Sequence, residues 1–124
     1  MNHNDIFQLY DLHVEVVPGD KPYVCSHHTG QGFDVVGENL IFPEGGKFSL
    51  YALAALLPIL PAKQRMTHSN DWMTTDALIA CPDPYCGARF KITRTKMTEF
   101  KHSDCTVVPL NSSVDADKDT LNVK

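Results

Sequence analysis

The chain has 124 residues, 43% of them hydrophobic and 21% charged, with a formal charge of −4. That supplies one globular domain with one core. Basic and acidic residues are interspersed with no Lys/Arg block, which argues against nucleic acid as a partner. The longest apolar stretch, residues 50–60, is too short for a bilayer and contains Pro58, so no membrane contact is expected.

In chain order, residues 1–8 read as a loose arm. Residues 9–17 alternate, with Leu12, Val14 and Val16 on one face and His13 and Glu15 on the other. This pattern predicts a strand stopped by Pro18-Gly19-Asp20. A polar, turn-rich stretch follows and holds Cys25-Ser26-His27-His28. Residues 32–36 and 40–42 predict two strands joined by a turn at Gly37-Glu38-Asn39.

Ser49 stands at the N-cap of the main predicted helix, where its hydroxyl accepts an orphan backbone N–H. Leu50, Leu53, Ala54 and Leu57 share a face, and Leu56 and Leu60 widen it. Pro58 and Pro61 are expected to end this helix. Residues 62–70 read as a polar loop, and Trp72, the only tryptophan, follows.

The most rigid stretch is Ala80-Cys81-Pro82-Asp83-Pro84-Tyr85-Cys86. An apolar run, residues 77–80, leads in, and an alternating run, residues 88–94, leads out. Two prolines fix φ and remove two donors, so this turn cannot join the sheet. Residues 107–110 are expected to pair as an edge strand or lie on the core, and residues 111–124 read as a disordered tail. The expected fold is α+β: a small, mostly antiparallel sheet covered by one main helix, in a single domain over residues 9–110.

The chemistry-bearing residues fall in two loops. Four cysteines without an export signal at the N-terminus read as reduced cytoplasmic thiols. Cys25, His28, Cys81 and Cys86 offer thiolate and imidazole ligands suited to zinc. The competing arrangement is a metal-free acid–base site. There His28 is the base, Cys81 the nucleophile or proton donor, and Asp83 the orienting carboxylate. Cys25, His27, Ser49 and Trp72 are then candidate substrate contacts.

Several segments together resemble a family of small, largely uncharacterised bacterial and archaeal proteins with fungal relatives. They are Cys25-x-x-His28, Gly32-Phe33-Asp34-Val35, a helix carrying Ala52-Leu53 and ending Leu57-Pro58, Trp72, Cys81-Pro82-Asp83-Pro84 and Phe90-Lys91-Ile92. The resemblance spans residues 10–95. It implies three cysteines and a histidine around a soft metal, because members usually begin the helix with Cys-Pro after a glycine pair. This chain has Ser49-Leu50 there, after Gly45-Gly46. A hydroxyl is a poorer zinc ligand than a thiolate. Either Cys86 folds back to replace the missing thiol, or Cys25, His28, Ser49 and Cys81 form a metal-free polar pocket. The family implies no established activity.

The first functional expectation is a small metal-independent enzyme, a lyase, isomerase or hydrolase, acting on a compact carbonyl-bearing metabolite without a cofactor. No phosphate-binding glycine loop or GxSxG elbow is present. The alternatives are a zinc-binding structural or interaction module and a non-catalytic small-ligand carrier. An exposed sheet edge allows a homodimer without requiring one.

Overall fold

A computed structural model describes residues 5–110 of the chain. The expectations for residues 1–4 and 111–124 lie outside the described residues. The elements in order are β1 (Ile6–Pro18), β2 (Gly32–Val36), β3 (Asn39–Ile41), α1 (Leu50–Leu56), α2 (Leu60–Gln64), α3 (Trp72–Thr75), β4 (Leu78–Ala80), β5 (Ala88–Lys101) and α4 (His102–Cys105). The strands form one five-stranded antiparallel sheet in the order β3-β2-β1-β5-β4. The fold class is therefore the α+β architecture expected from the sequence.

The alternation in β1 buries Leu12, Val14 and Val16. Val14 pairs with Phe33 and Leu12 with Val35, so the buried residues of β2 join the same face. Ala88, Phe90 and Ile92 of β5 complete it. Ala52 and Leu56 of α1 and Leu60 of α2 cover this face. Phe48 links its two halves, with its ring 5.0 Å from Phe33 and 5.7 Å from Phe90. Each large apolar side chain buried in this way contributes about 1.5–3 kcal/mol.

Several local expectations are corrected. β1 begins at Ile6, so it takes in three residues of the presumed arm. Ser49 caps α1 as expected, its Oγ accepting the Ala52 N–H at 3.2 Å. The buried face of α1 is Ala52 and Leu56, with Leu53 partly buried, while Leu50 is 72% exposed. Pro61 sits in the first turn of α2, where its missing N–H costs nothing. What reads as a polar loop after it thus starts as a helix. β5 runs on to Lys101, seven residues past the end of the alternating run at Arg94. Residues 107–110 form no strand, and Val107, Val108 and Leu110 are exposed.

Two side chains fasten the α2–α3 region. Lys63 is buried, and its Nζ donates to the carbonyls of Met73, at 2.6 Å, and Asp76. Arg94 of β5 donates to the carbonyls of Lys63 and Arg65 at 2.8 and 2.9 Å. No helix among the described residues is long and apolar enough to cross a membrane.

The chain divides into two compact units. Leu9–Thr98 carries most of the sheet, helices α1 to α3 and every candidate site residue. Residues 5–8 and 99–110 belong to the other unit, where the Phe7 and Phe100 rings stack at 5.7 Å.

Candidate metal centre

The cluster begins with a backbone crossing. Gly87 donates its N–H to the Pro22 carbonyl at 2.9 Å, and Val24 donates its N–H to Cys86 Sγ at 3.3 Å. Lys21 Nζ adds a bond to the Pro84 carbonyl at 3.3 Å. These contacts fold the stretch after β1 onto the turn between β4 and β5. That turn is tight because Cys86 N–H donates to the Asp83 carbonyl at 3.1 Å, which brings Cys86 back over the hairpin mouth. Cys81 N–H donates to Ala88 O at 3.3 Å and closes the same hairpin.

The result is a group of four ligand-type residues, Cys25, His27, Cys81 and Cys86, whose donor atoms all lie within 4.8 Å of one another. Cys25 Sγ is 3.9 Å from Cys81 Sγ, and His27 Nε2 is 3.7 Å from Cys81 Sγ. A tetrahedral centre with zinc–sulfur bonds of about 2.3 Å has sulfur–sulfur edges of about 3.8 Å. The Cys25–Cys81 and His27–Cys81 spacings match that edge, and donors as far apart as 4.8 Å need an inward shift of about 1 Å. The Phe90 ring meets the His27 ring edge-on at 5.2 Å and holds it in place.

The electrostatics match the geometry. Burial lowers the pKa of His27, and the charge of His28 lowers it further, which favours the neutral imidazole that ligates metals. Burial also acts to raise Cys86, but backbone N–H groups of Cys25, Val24 and Ala88 overcome it and bring the thiol down to about 7. Burial pushes Cys25 up to about 12, with Cys86 and Cys81 adding to the rise. Cys81 is raised chiefly by burial. Three thiols this close cannot all ionise without a countercharge. A divalent cation held by these four residues would supply that charge.

The structure brings Cys25, Cys81 and Cys86 of the alternative zinc set together, with His27 rather than His28 as the imidazole beside them. His27 is buried with the cluster, whereas His28 next to it is exposed. His28 belongs to a turn, where Gln31 N–H donates to its carbonyl at 3.0 Å.

The remaining candidates have other surroundings. Asp83 Oδ1 accepts the Tyr85 N–H at 3.0 Å, and its Oδ2 accepts from Cys25 Sγ at 3.6 Å. Its carboxylate therefore serves the turn and one thiol, not an imidazole. Ser49 lies outside the ligand cluster but lines an adjoining open cavity of about 570 Å³, with Cys25, Ser26, Tyr51, Cys81 and Asp83 among the other walls. Trp72 is 70% exposed on α3 and does not line this cavity.

No protein-family model matches the chain, and no curated protein or solved structure matches it. The chemistry of the site is therefore read from its own atoms.

Proposed function

We propose that the protein is a small zinc-binding module in which Cys25, His27, Cys81 and Cys86 hold one metal ion. The observation that carries this reading is the convergence of four donor atoms within 4.8 Å from two loops more than fifty residues apart. Three sulfurs and one nitrogen suit zinc over hard cations, and a set of four protein ligands makes a closed, structural centre. When bound, the ion supplies charge compensation and a cross-link between the loops. His27 contributes a neutral ring steadied by Phe90, and Cys86 contributes a thiolate already favoured by backbone N–H groups. The cavity beside the centre is the place where the clamped loops can present a surface to a small ligand or partner.

The test is elemental analysis of the full chain, followed by chelation. One zinc per chain, with loss of thermal stability on its removal, is the expected result. Metal-free protein that neither takes up zinc nor changes stability on its addition overturns the reading.

The metal-independent enzyme is the second reading, favoured by one observation: Cys81 lies beside both His27 and the open cavity. It has less support. A nucleophilic thiol is activated by a depressed pKa, whereas that of Cys81 is raised. Turnover of carbonyl substrates by chelator-treated protein, abolished in Cys81→Ser, would favour it over the module.

A further inference from the structure

We propose that Cys25 and Cys81 form an oxidation site, at which a hydroperoxide joins them as a disulfide and ejects the metal. The consequence for the metal rests on the zinc reading above; the site itself rests on the sulfur geometry.

Three features select this pair. The two sulfurs are 3.9 Å apart, and a disulfide needs about 2.0 Å, a closure of about 2 Å that a side-chain rotation in a loop can supply. Both residues line the same open cavity, so an oxidant of hydroperoxide size reaches them from solvent. Cys25 is the more exposed of the two, and its sulfur faces Asp83 at 3.6 Å on the cavity side. Cys86 differs in access: it does not line the cavity, and its sulfur is held by the Val24 N–H at 3.3 Å.

The chemistry balances in two steps. Burial disfavours the thiolate in the metal-free cluster, whereas a thiol that ligates a metal is held deprotonated. From that form Cys25 sulfur attacks the terminal peroxide oxygen, the O–O bond breaks, and the other oxygen leaves as hydroxide, or as alkoxide from an organic hydroperoxide, and takes a proton to become water or alcohol. Cys25 is then a sulfenic acid. Cys81 thiolate attacks that sulfur, forms the S–S bond and expels hydroxide, which is protonated to water. The two sulfurs have together lost two electrons and the peroxide has gained them. Cys25 and Cys81 can no longer ligate as thiolates. His27 and Cys86 alone leave half of a tetrahedral set, and the ion departs.

The experiment uses the full chain with Cys105→Ser, which removes the exposed thiol outside the cluster. Zinc content is measured first. Zinc-loaded and chelator-treated samples then receive hydrogen peroxide, remaining thiols are alkylated, and peptides are mapped while a chromogenic chelator follows released zinc. The expected result is a Cys25–Cys81 disulfide with one zinc released per disulfide, both reversed by dithiothreitol and added zinc. Cys81→Ser in the same background is expected to leave Cys25 as a trappable sulfenic acid. A bond through Cys86, over-oxidation of Cys25 without a disulfide, or zinc release without the bond overturns the proposal. A chain that binds no zinc but still joins Cys25 to Cys81 sinks the zinc reading and keeps the oxidation site. A chain that holds zinc but never forms the bond does the reverse.

Discussion

The Gly87 N–H donates to the Pro22 carbonyl at 2.9 Å, and a Cβ at Gly87 would overlap the carbonyl oxygen of Lys21. Only glycine permits this approach of two backbones. Gly87 sits one residue after Cys86 and its partner Pro22 three before Cys25, so this contact sets the distance between the two halves of the cluster.

Gly87→Ala is expected to force those backbones apart and cost about 1–3 kcal/mol of stability, as overpacking typically does. Zinc affinity should fall with it. Urea unfolding and a competitive zinc titration check both. A variant with unchanged midpoint and affinity shows that the close approach is dispensable.

The two adjacent histidines should separate cleanly. Groups that merely support a ligand are typically worth about 10–100-fold in metal affinity, so His27→Ala, which removes a ligand, is expected to lose at least that much. His28→Ala should bind zinc as the parent does. Equal affinities for the two variants would remove His27 from the centre.

A surface triad gives a pH signature. The β1–β2 register sets His13 opposite Asp34, and their side chains meet at 2.7 Å, with Glu15 at 3.3 Å on the other ring nitrogen. The hydrogen bond to Asp34 is the main cause raising the His13 pKa, opposed in part by burial. The folded value lies above the unfolded one. The contribution to stability is therefore full below the unfolded value of about 6.5 and is lost as pH rises through the folded value. Thermal unfolding between pH 5 and 9 should show this decline, and Asp34→Asn should flatten it. A slope unaltered in that variant places its origin elsewhere.

Lys63 tests the α2–α3 clasp. Burial, followed by the nearby Arg94 charge, lowers its pKa, and its ammonium satisfies the carbonyls of Met73 and Asp76. Lys63→Met keeps the stem and leaves two acceptors unpaired, at a cost of about 1–3 kcal/mol each. A melting temperature equal to the parent's would show that water replaces the ammonium without loss.

Much of the fold is legible along the chain because its causes are local. Alternation in residues 9–17 puts Leu12, Val14 and Val16 on one face whatever they pack against. Ser49 caps α1 through a bond spanning three residues. The phase of α1 is less legible, because apolar residues occupy nearly every position and periodicity cannot single out a face. Packing against the sheet buries Ala52 and Leu56 and turns Leu50 outward. Pro61 is ambiguous for a similar reason, since proline both stops one helix and starts another.

The α+β class, the strand alternation, the helix start and the rigid Cys81-to-Cys86 turn follow from neighbours a few residues apart, so the amino-acid order alone is enough to specify them. The choice of His27 over His28 beside the thiols and the partnership of Cys25 with Cys81 and Cys86 do not. Cys25 and Cys81 are separated by 56 residues, and their meeting requires β1 beside β5 in the sheet and a bare glycine where the chains cross. Those are long-range conditions, and only the folded chain satisfies them.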